Sequence, residues 1–536
     1  MVNRKLFGAK NRSAAAAADT INRAGGTAYR LSDEAALCQY VVTGTFHNAY
    51  YSDAREQLQM VQNLVDNVRP EIVAKAAAYG HSVGRMKDVP AYLLAELAAR
   101  GELDWFKAAW PAVIRSPKML LNFVQFVRSG VTGRKSFGSA VKRQIQDWIT
   151  SRDGDRLFQA SKGYSNPSLL DVIKMVHPRP QNDEQSALFA YLVNGGCDAG
   201  DWTITRGDTK YRFDQLPELA QSFEEFKYDN SNPLPDMDYR ALTNCGLTPE
   251  HWKAIATQMP WNALRMNLNV LARNGVFESD KITKQVANKL ADADEVRKWN
   301  AFPYQLLTTY QNIEGVPMSI KLALQDAMEV ATENIPVLGK KVAFCIDLSG
   351  SMGSPVTGRS GKPTVTSCRD VAALMAASFA RTNPECRVIA WADISKSVDF
   401  NPRDSVMTNS ELFARQNVGY ATNAGLALEQ LNSEGWKGDV IVYVSDFQSW
   451  THQNYGWGTR NAPAMAHEWG KFRKRNKGSK LISVNVQGYN DTQVPDDPNV
   501  LNIGGFNDAV FDVAANFIMH DNNAQHFVAV VSKTVL

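Results

Sequence analysis

No two of the six cysteines (Cys38, Cys197, Cys245, Cys345, Cys368 and Cys386) are spaced as Cys-x-x-Cys. Cysteines without such pairing fit a reducing compartment. No apolar run is long enough to span a bilayer. The opening MVNRKLFGAKNRSAAAAADT is basic and then alanine-rich, but five alanines are too short and too weakly apolar for a signal h-region. A soluble, cytoplasmic protein is expected. The eight histidines are scattered, and no His-Cys or Ser-His-Asp arrangement stands out, so nucleophilic catalysis has no support. Charge of one sign is also scarce overall, the net being +3. What remains is ordinary globular composition, 44% apolar and 21% charged, in 536 residues. That length exceeds one core, so two or three domains are expected.

The stretch that organises the chain is VAFCIDLSGS, residues 342–351. Val342 to Ile346 read as a strand buried on both faces, with Cys345 packed as a small hydrophobe. The run stops at Asp347 and then offers oxygen donors at alternate positions, Asp347, Ser349 and Ser351, while Gly350 and Gly353 let the backbone turn. A carboxylate and two hydroxyls at the C-terminal end of a buried parallel strand make a hard-cation site. GYATNAGLALEQL (419–431) adds Thr422 before a helix, and DVIVYVSDFQS (439–449) adds a second buried strand ending in Ser445 and Asp446. Further strands are expected at 387–392, 480–486 and 498–503, with helices at 367–382, 423–434, 462–474 and 507–519. This alternation implies a parallel sheet covered on both faces. The loop 354–367 is a candidate mobile rim of the site, and the apolar tail 526–536 is expected to pack back as a strand.

The order Asp-x-Ser-x-Ser, then Thr, then Asp resembles a von Willebrand factor A domain with its metal-ion-dependent adhesion site. The resemblance implies that Ser349, Ser351 and Thr422 bind Mg²⁺, or another divalent cation, directly or through water. Asp347 and Asp446 would complete the shell, and one position would be left for a ligand carboxylate or water. The plainer alternative is that the fold persists and these residues are structural.

Before this domain, residues 31–340 read as helix after helix, following a loosely ordered lead-in at 1–30. Helices are expected at 53–67, 70–79, 89–100, 103–114, 117–129, 136–149, 166–175, 183–193, 213–226, 248–258, 260–273, 279–290 and 318–333. Each is too short to hide its apolar stripe alone, so pairs must stack as a HEAT-like α-solenoid. In 136–149, Phe137, Val141, Ile145, Trp148 and Ile149 share one face, and Lys142, Arg143 and Gln146 point elsewhere. Arg134 and Lys135 precede that helix. In 165–180, Asn166 is expected as N-cap with Pro167 in the first turn, and Pro178 and Pro180 end the helix. Lys162, Lys174, His177 and Arg179 add positive charge, whereas 214–238 is acidic. One basic region in a near-neutral chain suits a polyanion partner. Solvated helix faces are the alternative.

A helical-repeat domain (31–340) followed by this A domain (341–536) resembles the Ro ribonucleoprotein family, whose repeat portion is the TROVE module, and most closely its bacterial members. The carriers are GRKSFGSAVKRQIQDWI (133–149), SNPSLLDVIKMVHPRP (165–180) and the metal motif. The resemblance implies a multidomain fold: an all-α ring of HEAT-like repeats closed by a doubly wound α/β A domain. It implies small structured Y RNAs on the outer rim, with Arg134, Lys135, Lys142, Arg143, Lys162, Lys174, His177 and Arg179 as candidate contacts. It further implies single-stranded 3′ ends of misfolded RNA in the central hole, and work beside exoribonucleases such as polynucleotide phosphorylase under stress. Two other classes compete: an adhesion scaffold that captures an acidic partner through the metal, and a metal-dependent nuclease. A single cation on a face of hydroxyls lacks the carboxylate cluster that two-metal cleavage uses.

Overall fold

The apolar runs expected to be strands, with one further edge strand, form a six-stranded sheet ordered Val500–Gly504, Lys480–Asn485, Val440–Ser445, Val342–Asp347, Arg387–Trp391, Ser395–Val398. In the computed structural model the described residues are 16–44, 46, 48–163, 166–197, 202–299, 301, 303–333, 335–356, 358–359, 362–363, 365–450, 463–506, 509–519 and 526–536. The remainder, which includes most of the expected lead-in and part of the 354–367 loop, lies outside the described residues. The chain forms two compact units. One takes Met1–Met86, Asn288–Ile313 and Met318–Val535, and the other takes Lys87–Ala287 with Glu314–Pro317.

The first unit is built on the sheet. Its strands are β2 (Val342–Asp347), β3 (Arg387–Trp391), β4 (Ser395–Val398), β5 (Val440–Ser445), β6 (Lys480–Asn485) and β8 (Val500–Gly504). All neighbours are parallel except β4, an antiparallel edge strand that the sequence did not announce. Every residue of β2 and β5 is buried because both faces are covered. Ala343, Cys345, Ile441 and Tyr443 face helices Leu426–Ser433 and Ala464–Arg475, where Leu428, Leu431, Trp469 and Phe472 meet them. Phe344, Val442 and Ile482 point the other way, toward Met375 and Phe379 of helix Cys368–Thr382 and Val510 of helix Ala509–Met519.

Two expectations are corrected in this unit. Part of the lead-in is built into it, since β1 (Thr27–Arg30) pairs with β7 (Asp491–Thr492) through Tyr29 and Arg30. The next segment, α1 (Asp33–Thr43), packs on β8, leaving no room for a side chain at Gly504. This segment, although it precedes residue 341, thus belongs to the same compact unit as the sheet. The tail is a helix, His526–Ser532, and not a strand. Phe527, Val528 and Val531 recur at helical spacing, and they settle against α1 and α3 (Pro70–Ser82), so packing overrides β-branched propensity. Between α1 and α3 lies α2 (Ala54–Asn67), started by an Asp53 capping box.

The second unit is stacked helices. α4 (Asp88–Arg100) packs on α5 (Leu103–Val113) and α6 (Pro117–Ser129). Next come α7 (Gly138–Thr150), α8 (Gly154–Lys162), α9 (Leu169–Val176), α10 (Asp183–Asn194) and α11 (Glu218–Tyr228). Of these, α9 packs on α7 and α10, and α8 packs on α10 and α11. α9 begins three residues later than expected. Ser168 is the N-cap, with a capping box to Asp171, so Pro167 precedes the helix and Asn166 does not cap it. The expected helix 260–273 is two, Trp261–Met266 and Leu268–Arg273, broken at Asn267.

Candidate metal centre and basic helix pair

The oxygen donors read from the sequence converge at one end of the sheet. Asp347 ends β2, Ser349 and Ser351 lie in the turn after it, and Asp446 follows β5. All four are buried, as is Thr422. Asp347 accepts from the Ser349 backbone N–H at 2.8 Å and from Ser445 Oγ at 2.5 Å. Ser349 Oγ and Ser351 Oγ are 3.4 Å apart. The Thr422 loop is tied on two sides. Its carbonyl accepts from the Trp450 N–H at 3.1 Å and Ser449 Oγ at 3.0 Å. Asp393 accepts from the N–H groups of Tyr420 (3.0 Å) and Ala421 (2.8 Å). Gly419, at φ +95°, allows this approach, since a Cβ there would meet the Asp393 carboxylate at 2.0 Å.

The electrostatics of this pocket suit a cation. Among the described residues neither Asp347 nor Asp446 is ion-paired with Lys, Arg or His. Burial, and then the Asp446 charge, pushes the Asp347 carboxyl well above the usual carboxylate range. Burial likewise pushes Asp446 above that range. Two buried carboxylates, with the Asp446 charge raising Asp347, beside three neutral hydroxyls have the chemistry that would suit a hard divalent cation. Asp347, Ser349, Ser351, Thr422 and Asp446 are the residues that would hold Mg²⁺, which would neutralise this charge. Sequence reasoning missed two supporting residues. Asp393 fixes the Thr422 loop, and Asp491, a buried carboxyl pushed up to about 7 by burial, accepts from Gln448 Nε2 at 3.0 Å. Neither carries a motif, because tertiary contacts alone bring them here.

In the other unit, α7 presents the expected face: Val141, Ile145, Trp148 and Ile149 are buried. Phe137 stands just before the helix, half-buried. Gln146 joins α7 to the end of α9, donating to the carbonyls of Val176 (2.7 Å) and His177 (3.3 Å). Lys142, one turn before Gln146, therefore lies on the side of α7 that faces the α9 terminus. Arg143, Lys174, His177 and Arg179 are exposed, and His177 ends α9 at φ +48°. Arg134 and Lys135 are exposed in the loop before α7. Arg134 reaches the Ala98 carbonyl at 3.5 Å, and the Lys135 carbonyl accepts from Arg128 at 2.8 Å.

Lys162 departs from this group. Its ammonium lies 5.2 Å from the Phe158 and Tyr191 rings and 4.7 Å from Phe223, and it donates to Tyr191 Oη at 3.3 Å. Burial holds its pKa down. Tyr191 donates in turn to the buried Glu224 at 2.5 Å. Lys162 is thus a caged structural cation and not a free phosphate contact. The spacing that put it beside Lys174 could not show the rings around it.

Against known proteins, the description "Ro60 vWA domain" matches residues 341–518 and "TROVE domain" matches 233–362. The "RNA-binding protein RO60" of Caenorhabditis elegans is 21% identical over 594 residues, spanning 93% of this chain and 89% of its own. The protein of that name from Deinococcus radiodurans is 24% identical over 530 residues, spanning 92% and 94%. The crystal structure of the Deinococcus radiodurans Ro (Rsr) protein aligns with a TM-score of 0.58 at 18% identity, over 91% of this chain and 99% of that one. The likeness extends across both the helical unit and the sheet unit.

Proposed function

The chain belongs to the Ro ribonucleoprotein family, with a TROVE module and a Ro60-type A domain, and on that premise we propose that it binds RNA without cleaving it. The observation that carries this reading is the exposed basic surface of α7 and α9, in a chain whose relatives over more than nine-tenths of its length are named RNA-binding proteins. Lys and Arg on such a surface neutralise phosphates and give affinity without sequence preference. The reading extends to small structured Y-type RNA on the outer basic surface, and to single-stranded 3′ ends of misfolded RNA in the central hole of a ring. The biological role is RNA quality control, maturation or decay beside an exoribonuclease such as polynucleotide phosphorylase, under stress. The cytoplasm suits six free cysteines. No described helix is long and apolar enough to cross a membrane.

A second reading has its own observation. The uncompensated carboxylate pair at Asp347 and Asp446, with Ser349, Ser351 and Thr422, suits a Mg²⁺ site that captures an acidic group of a protein partner. The two readings use different units and are compatible. A nuclease finds less support, because one cation on a face of hydroxyls lacks the carboxylate cluster that two-metal cleavage uses. Incubating the protein with end-labelled structured RNA and Mg²⁺ separates the three. Shifted but intact RNA supports the first reading. Shortened RNA supports cleavage. Unshifted RNA leaves the adhesion module alone.

A further inference from the structure

The sheet unit carries a polar cleft whose lining includes none of the metal donors. It holds about 420 Å³ and lies between α2 on one side and the ends of β1 and α1 on the other. That volume is in the range of small-molecule sites. The two walls differ in chemistry. On α2, Gln59, Asn63 and Asn67 recur at every fourth residue, so their exposed amides stand in a row on one side of the helix. Gln59 Nε2 donates to Asn63 Oδ1 at 3.1 Å. Met60 and Leu64 supply the apolar part of the lining. The opposite wall presents two guanidinium groups. Arg23 is fixed in place: its backbone N–H donates to Gln448 Oε1 at 2.8 Å, and its Nη1 to the Tyr51 carbonyl at 3.2 Å. Arg30 ends β1, where pairing with Asp491 of β7 holds its backbone, while its side chain is 66% exposed. Each arginine has a carboxylate nearby, Glu56 at 3.7 Å from Arg23 and Asp33 at 3.9 Å from Arg30. Both separations exceed hydrogen-bonding distance, so an entering anion can compete for the guanidinium donors.

We propose that this cleft binds a nucleoside monophosphate. Two guanidiniums against two carboxylates leave it balanced in charge, which does not suit a polyanion but does suit one anionic group on a hydrogen-bonding body. The phosphate is held between Arg23 and Arg30, whose forked N–H donors match its oxygens. The base rests against Met60, and its edge meets the amides of Asn63 and Asn67, which donate and accept as adenine requires. Asp33 and Glu56 accept from the ribose hydroxyls. The same groups are offered by a free nucleotide and by the 5′-phosphate end of an RNA strand. The proposal uses neither the metal donors nor the basic helices, so it stands or falls apart from both readings above.

The test is titration calorimetry of the full-length protein with adenosine 5′-monophosphate and with adenosine, in EDTA so that no metal ion can hold the phosphate. The wild type should bind the nucleotide about tenfold or more tightly than the nucleoside. Arg30→Ala should weaken the nucleotide about tenfold, the factor for one charge-assisted contact, and leave the nucleoside nearly unchanged. Arg30→Lys keeps the charge without the fork and should recover part of the loss. Asn63→Ala should weaken both ligands alike, by about threefold or more. Arg30 and Asn63 are exposed, so these variants should fold, and thermal unfolding checks it. A 5′-phosphorylated RNA trinucleotide beginning with adenosine separates the two sources. If it displaces the nucleotide with the same dependence on Arg30, the cleft takes an RNA end; if it does not compete, the cleft takes the free nucleotide. No nucleotide binding by the wild type at millimolar concentration would overturn the proposal. So would nucleotide binding that is the same in the wild type, Arg30→Ala and Asn63→Ala. A loss in Arg30→Ala that is equal for nucleotide and nucleoside would overturn the placement of the phosphate.

Discussion

Asp347→Asn should separate the two states of the buried pocket. Without divalent ions, the substitution removes one of two like-charged carboxyls that burial already penalises, and relief of that repulsion favours the variant. It also weakens acceptance from Ser349 N–H or Ser445 Oγ, a loss of about 1 kcal/mol. The net change in metal-free stability should therefore be small. With Mg²⁺ at about 100 times its dissociation constant, the wild type gains ~2.7 kcal/mol by mass action. For a unit of this size that is a rise of about 4 °C in its unfolding midpoint. The variant should gain nothing. The assay is thermal unfolding followed by circular dichroism and calorimetry, in EDTA and in Mg²⁺, for both proteins. With two compact units, only the transition of the sheet unit should move. An equal Mg²⁺ shift in both proteins would refute the argument that these carboxylates hold the ion. A wild type indifferent to Mg²⁺ would refute the site.

The same Asp347→Asn protein should bind structured RNA with unchanged affinity, because the basic helices belong to the other unit; a large loss in a folded protein would contradict that separation. Lys162→Ala should destabilise the helical unit by about 1–3 kcal/mol in urea titration, by emptying the cage of Phe158, Tyr191 and Phe223 and removing the hydrogen bond that Tyr191 Oη accepts. Its RNA salt dependence should match the wild type. Gly488→Ala would set a Cβ 2.3 Å from the Tyr40 ring, and the resulting overpacking should cost about 1–3 kcal/mol in the sheet unit's unfolding transition.

The strands around the metal site were legible because each is a short apolar run ending in a polar residue at a ligand position. Val342–Asp347 and Val440–Ser445 fell within a residue of their expected bounds. The basic helix was legible because its stripe is one-sided, from Val141 to Ile149. α1 was not, since nine of its eleven residues are buried and no polar face marks its period. The tail was misread because HFVAVVS is β-branched, and only its packing against α1 and α3 decides for a helix. Asp393 and Asp491 were invisible for one shared reason. Each joins the metal centre through partners far away in sequence, so no local spacing carries the information.

The central claim is that the α7 and α9 surface binds RNA, and Lys142→Ala/Arg143→Ala tests it most directly. Val141, Ile145, Trp148 and Ile149 keep the core of α7, and alanine is the best helix former, so the fold should hold. RNA affinity is measured at several salt concentrations for the wild type, for this variant, and for one that adds Lys174→Ala and Arg179→Ala, with thermal unfolding as the control. The account predicts weaker binding and a salt slope shallower by about 0.7–0.9 for each phosphate no longer neutralised, deepening in the second variant. Three proteins with the same affinity and the same slope would contradict it.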